Sequence, residues 1–189
     1  MGVMRMGYAH VRVTDMAEAK DHYANTMGLY ETHAEGNKVY YKAWDEWDHH
    51  SVVLEEGGVG LVKFGWKVEN SSDIDDIEKK ATAFGVTVER MSKGENPEIG
   101  DGIRFTTPSD HVFEVYHEAT CVGTEVGTHN PDAFPRHLVG VGVPALDHSL
   151  ITAADPGLMD RFLTAVIDFY PTERVQTSLD SDADIIATW

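Results

Sequence analysis

Histidine and carboxylate side chains are the richest source of possible chemistry in this chain, with 10 histidines and 32 acidic residues among 189. Two of the histidines stand in matching contexts, His10-Val-Arg-Val-Thr14 and His148-Ser-Leu-Ile-Thr152. A neutral imidazole is a good ligand for a divalent transition metal. Taken singly, a strand histidine is more often a satisfied core or surface residue, and one imidazole does not make a metal site. His49 and His50 are adjacent, so regular β geometry sends them to opposite faces, where they cannot share a metal. His129 and His137 fall in a stretch without periodicity that assigns them no role. Trp44, Trp47 and Trp66 suit core and sheet-face packing better than a ligand box. No P-loop, GxSxG, CxxC or dinucleotide fingerprint is present.

The elements that must position these residues follow from hydrophobic period. Tyr8 to Val13 alternates, with Ala9, Val11 and Val13 on one face and Tyr8, His10 and Arg12 on the other. Asp15 is a helix N-cap with Glu18 as a capping-box partner, and Met16, Ala19, Tyr23, Ala24 and Met27 form the apolar stripe that follows. Gly28 suits the residue just past the helix. Strands are expected at Leu29–His33, Lys38–Trp44 and His50–Glu55. The same β-α-β-β-β order then recurs: strand Gly60–Val68, a helix capped by Ser72 and ended by Gly85, and strands Val86–Met91, Gly102–Thr106 and His111–Tyr116.

From Cys121 to Ala145 no period is evident, and this run reads as a connection. The opening of the chain then returns. His148 lies 138 residues after His10 (148 − 10), and Tyr170 lies 140 after Tyr30 (170 − 30). Asp155 caps a helix with Pro156 at its first position and Met159, Phe162, Leu163 and Val166 on one face. Two modules per repeat give roughly 69 residues each. The run from His148 to Trp189 is shorter than that and ends in a strand-like segment, so about half a domain or more is expected to be missing.

The motifs in order are specific as a set: His10-Val-Arg-Val-x-Asp15-Met, Tyr23-x-x-x-Met27-Gly28-Leu29, Lys42-Ala43-Trp44, Ser51-Val52-Val53-Leu54-Glu55, Phe64-Gly65-Trp66-Lys67-Val68, Arg104-Phe105, Thr107-Pro108-Ser109-x-His111-x-Phe113-Glu114-Val115-Tyr116 and Leu146-Asp147-His148. The chain resembles the extradiol ring-cleavage dioxygenases of the vicinal oxygen chelate superfamily, in the branch similar to catechol 2,3-dioxygenase, over nearly its whole length. One departure is Asp110, where the family usually has glycine. The resemblance implies an α+β fold of repeated βαβββ modules. Residues 1–120 would form a two-module N-terminal domain, 121–145 a connection and 146–189 the incomplete start of the catalytic domain.

It also implies Fe(II), held by two histidines and a glutamate, with catechol or an alkylcatechol and O2 at the three remaining positions. The product would be of the 2-hydroxymuconic semialdehyde type. His148 matches the first histidine ligand; the other two, and the acid–base histidines, would fall past Trp189, leaving the 189 residues inactive alone. Asp147 would have no metal role. His10 and Glu114 fall where other superfamily members hold a metal, but Gly60–Val68 offers no third ligand and Arg12 adds positive charge. A polar cluster with Arg12 pairing Glu114 is the expected arrangement there. Alternatives to the enzyme reading are a metal-free small-molecule binding module and an inactive fragment.

Composition narrows the partners. With 15 basic against 32 acidic residues the formal charge is −17, a field that repels phosphate backbones and anionic lipids. Neither a nucleic acid nor a membrane is expected as partner. The single Cys121 cannot form an internal disulfide, and no secretory leader is evident, so a cytoplasmic protein is expected. A homo-oligomer is expected alongside the resemblance.

Overall fold

The computed structural model describes residues 2–180 and 183–189. Two units of β-α-β-β-β order lie side by side in one sheet. The first comprises β1 (Val3–Val13), α1 (Met16–Asp21), β2 (Tyr30–Glu35), β3 (Lys38–Lys42) and β4 (Val52–Glu56). The second comprises β5 (Gly60–Val68), α2 (Ser71–Phe84), β6 (Val88–Met91), β7 (Gly102–Thr106) and β8 (Val112–Tyr116). The eight strands run in the order β2-β3-β4-β1-β5-β8-β7-β6. In each unit the first strand pairs in parallel with the last, β1 with β4 and β5 with β8, and the units join through the antiparallel β1–β5 pair. This is the doubled βαβββ, α+β architecture expected from the sequence.

Helix ends follow the capping residues. The Asp15 carboxylate accepts hydrogen bonds from the backbone N–H of Ala17 and Glu18. The first helix stops being α-helical earlier than its stripe suggests. His22–Thr26 is π-helical, and the Met27 N–H reaches the His22 carbonyl at 2.9 Å. α2 starts at Ser71, with Asn70 as its cap rather than Ser72, and Gly85 closes it at φ +98°.

The helices cover one face of the sheet. Under α1, Leu29, Val39, Tyr41 and Leu54 are buried. Under α2 the core includes Phe64, Trp66, Phe105, Phe113 and Val115. That second core also takes in Met159, Phe162, Val166 and Ile167 from α3 (Pro156–Val166) and the residue after it. The Phe162 ring meets Phe84 and Phe105 edge-on at 5.3 and 5.9 Å.

Beyond α3 there is a two-stranded ribbon, β9 (Arg174–Gln176) with β10 (Ile185–Thr188). Residues 148–152, the sequence repeat of 10–14 in β1, form no strand here. No helix among the described residues is long and apolar enough to cross a membrane.

Candidate functional site

The sheet face away from the helices is concave and polar. Strand register brings Tyr8, Gly65, Glu114 and Arg104 into one row across β1, β5, β8 and β7. His10 and Lys63 form a neighbouring pair across β1 and β5. Gly65 is required there, because a Cβ would stand 2.2 Å from Cε1 of Tyr8.

Glu114 is fully buried. Its Oε1 accepts from Lys63 Nζ at 2.9 Å and Arg104 Nε at 2.6 Å. Its Oε2 accepts from Asn96 Nδ2 at 2.8 Å and from the Tyr8 hydroxyl. Burial alone would raise the Glu114 carboxyl, but Lys63, Tyr8 and Arg104 together hold it below its ordinary value. Burial lowers the Lys63 ammonium against the pull of Glu114, and burial with Glu114 beside it raises the Tyr8 phenol.

The expected Arg12–Glu114 pair is not formed. Arg12 Nε lies 3.7 Å from Glu55 Oε1, its neighbour across β1 and β4. Alternation correctly put Arg12 and Glu114 on one face, but register places Arg12 opposite Gly60 and Glu114 opposite Gly65. The cations that hold Glu114 are Lys63 and Arg104. The sequence signal for Lys63 is its alternation with Gly65 and Lys67 on one face of an otherwise apolar strand.

His10 is 3% exposed, and its Nε2 lies 3.0 Å from Glu55 Oε2 without hydrogen-bond alignment. Burial and nearby Lys63 lower it to about 4 despite Glu55, so the ring is neutral near pH 7. His49 and His50 do not diverge as expected: their Nδ1 atoms are 3.0 Å apart. Both precede β4, which begins at Val52, so strand alternation does not govern them. The buried His50 ring stands 5.0 Å from Tyr40 and 5.5 Å from Tyr8, and burial with His49 beside it lowers His50 to about 3. Trp66 is core as expected, Trp44 donates to the Gly142 carbonyl at 3.1 Å, and Trp47 is exposed rather than packed. His129 and His137 are exposed.

His148 lies far out in solvent, its Nδ1 2.9 Å from Asp147 Oδ2, with side-chain exposures of 86% and 89% for the two residues. Asp147, given no role from the sequence, contacts the imidazole and leaves its Nε2 open. Among the described residues no group of three or more His, Cys, Asp and Glu is placed to hold a metal ion. His148 on its own therefore does not amount to a metal centre.

Paired βαβββ units with helices on one face and a concave polar face on the other define the vicinal oxygen chelate fold. Comparisons with known proteins narrow this. Residues 63–120 match the family model described as "Catechol 2,3-dioxygenase-like N-terminal domain". The metapyrocatechase of Pseudomonas sp. (strain CF600) is 34% identical over 189 residues, covering 98% of this chain and 61% of that protein. A manganese-dependent 2,3-dihydroxybiphenyl 1,2-dioxygenase of Geobacillus genomosp. 3 is 21% identical over 177 residues, 92% of this chain and 56% of its own length. The crystal structure of the 2,3-dioxygenase LapB from Pseudomonas sp. KL28 superposes with a TM-score of 0.89 at 36% identity, covering 98% of this chain and 66% of that one. The chain belongs to the extradiol dioxygenases related to catechol 2,3-dioxygenase and spans roughly the N-terminal half to two thirds of the relatives it matches.

Proposed function

We propose that this chain forms the N-terminal part of an Fe(II)-dependent extradiol dioxygenase. The reaction opens the ring of catechol or an alkylcatechol with O2 to give a 2-hydroxymuconic semialdehyde-type product. The observation that carries this reading is the 34% identity to a metapyrocatechase across 98% of the chain. His148 contributes one metal ligand, as the repeat of His10 and the family pattern imply. A metal held by His148 and ligands outside this chain would supply a common site for catechol and O2 and a path for electrons between them. The contribution of residues 1–120 is a rigid sheet against which the later segments pack.

The test uses the chain alone and a fusion to the part of the Pseudomonas metapyrocatechase that lies beyond the aligned region. With Fe(II), catechol and air, the chain alone should give no yellow ring-fission product above a metal-only blank. The fusion should turn over, and His148→Ala in it should lose both bound metal and activity with the circular dichroism unchanged. Turnover by the chain alone, or by the His148→Ala fusion, would overturn the assignment. Metal analysis of the active fusion decides between iron and the manganese named for one relative.

A further inference from the structure

The concave face encloses a cavity of about 340 Å³. The geometry points to a metal-free binding site for a small phenol in this cavity. Its walls are aromatic and aliphatic: Tyr8, Tyr40, His50 and Val53. The Tyr40 and His50 rings meet edge to face at 72°, a corner that takes one further six-membered ring. The rest of the lining is largely polar and includes His10, Lys38, Lys63, Glu35 and Glu95, and Glu55 lies beside His10.

Three observations select the ligand's polar group. His10 is buried, and its Nε2 lies close to Glu55 Oε2 without an aligned hydrogen bond. A hydroxyl seated beside both can accept from Nε2–H and donate to the carboxylate, which satisfies a buried group otherwise left wanting. Lys63 lines the same cavity and uses two of its three N–H groups on Asn96 and Glu114. A carboxylate ligand has no proton to donate to Glu55, whose charge is already met by Arg12 and Lys38 at 3.7 Å. The site therefore prefers a phenol to an aromatic acid of the same size.

The site does not depend on the dioxygenase reading, and its test contains no metal. The 189-residue chain, treated with chelator, is titrated with phenol and, separately, with benzoate while the histidine ring resonances are followed by NMR. Phenol should shift His10 and His50 saturably, and benzoate should not. Glu35 is an exposed rim residue lining the cavity, so Glu35→Trp should close the entrance without touching the core and weaken phenol binding by about tenfold or more. His10→Phe should do the same, and if that variant fails to fold, Glu35→Trp decides. Linear, unsaturated shifts with phenol, equal saturation by benzoate, or undiminished phenol binding in Glu35→Trp would each overturn the proposal.

Discussion

Glu114 shows how a position suited to a metal ligand can be satisfied by the protein itself. A buried carboxylate needs compensating charge, and here Lys63 and Arg104 supply it, with Tyr8 and Asn96 filling the remaining acceptor positions. Lys63→Met should cost about 2–3 kcal/mol in urea unfolding, since the carboxylate keeps Arg104 but loses a charged donor in a buried setting. The histidines add a pH dependence. His10 and His50 fall from the ordinary 6.5 to about 4 and about 3 in the folded chain, so the unfolded chain binds more protons between those values. Stability should be full above the ordinary histidine value, fall as pH drops toward 4, and lose the Glu114 contribution at still lower pH. A urea midpoint that stays flat between about pH 7.5 and 4.5 would contradict the burial of both rings. Residue type and face were legible in the sequence at this scale. The partner was not, because alternation fixes a face while the Tyr8–Gly65–Glu114–Arg104 row depends on register across four strands.

Single elements were easier to read, because caps and turns are local. Asp15, Gly85, Asp155 and Pro156 mark helix ends where the structure has them. Ser72, expected as the cap, lies inside α2, and Asn70 two residues earlier caps it. The π-helical turn at His22–Thr26 has no sequence signal of comparable strength. The β7–β8 turn explains the one departure from the family pattern: Asp110 sits at φ +62°, a left-handed conformation natural for glycine and tolerated by aspartate. Its N–H donates to the Thr107 carbonyl at 3.0 Å, which holds the turn tight. Asp110→Gly should be neutral or slightly stabilising. Asp110→Val should cost about 1–2 kcal/mol, because a β-branched residue is strained at positive φ. Thermal melts of the two variants check this, and equal melting temperatures would contradict the conformation.

Across the whole molecule we propose a division into residues 1–120 as one domain, 121–145 as a strap and 146–189 as the opening of a second. The strap is anchored at both ends, a feature its lack of period concealed. Near its start, the Glu125 N–H donates to the Trp44 carbonyl and Lys42 pairs with Glu125 at 3.1 Å. Near its end, the N–H groups of Val141 and Val143 donate to the carbonyls of Thr26 and Met27, and the Leu146 N–H donates to Glu46 at 2.8 Å. Between these anchors, residues 128–134 are exposed. Limited proteolysis should cut there first, since protease needs a segment that can leave the surface. The two pieces should stay together after the cut, because Phe162 of α3 is fully buried against Phe84 and Phe105. Phe162→Ala should remove about 3–5 kcal/mol of that packing. The nicked variant should then separate on a sizing column where the nicked parent does not. Early cleavage inside residues 3–116, or spontaneous separation of the nicked parent, would show that α3 is not held by the core of the eight-stranded sheet.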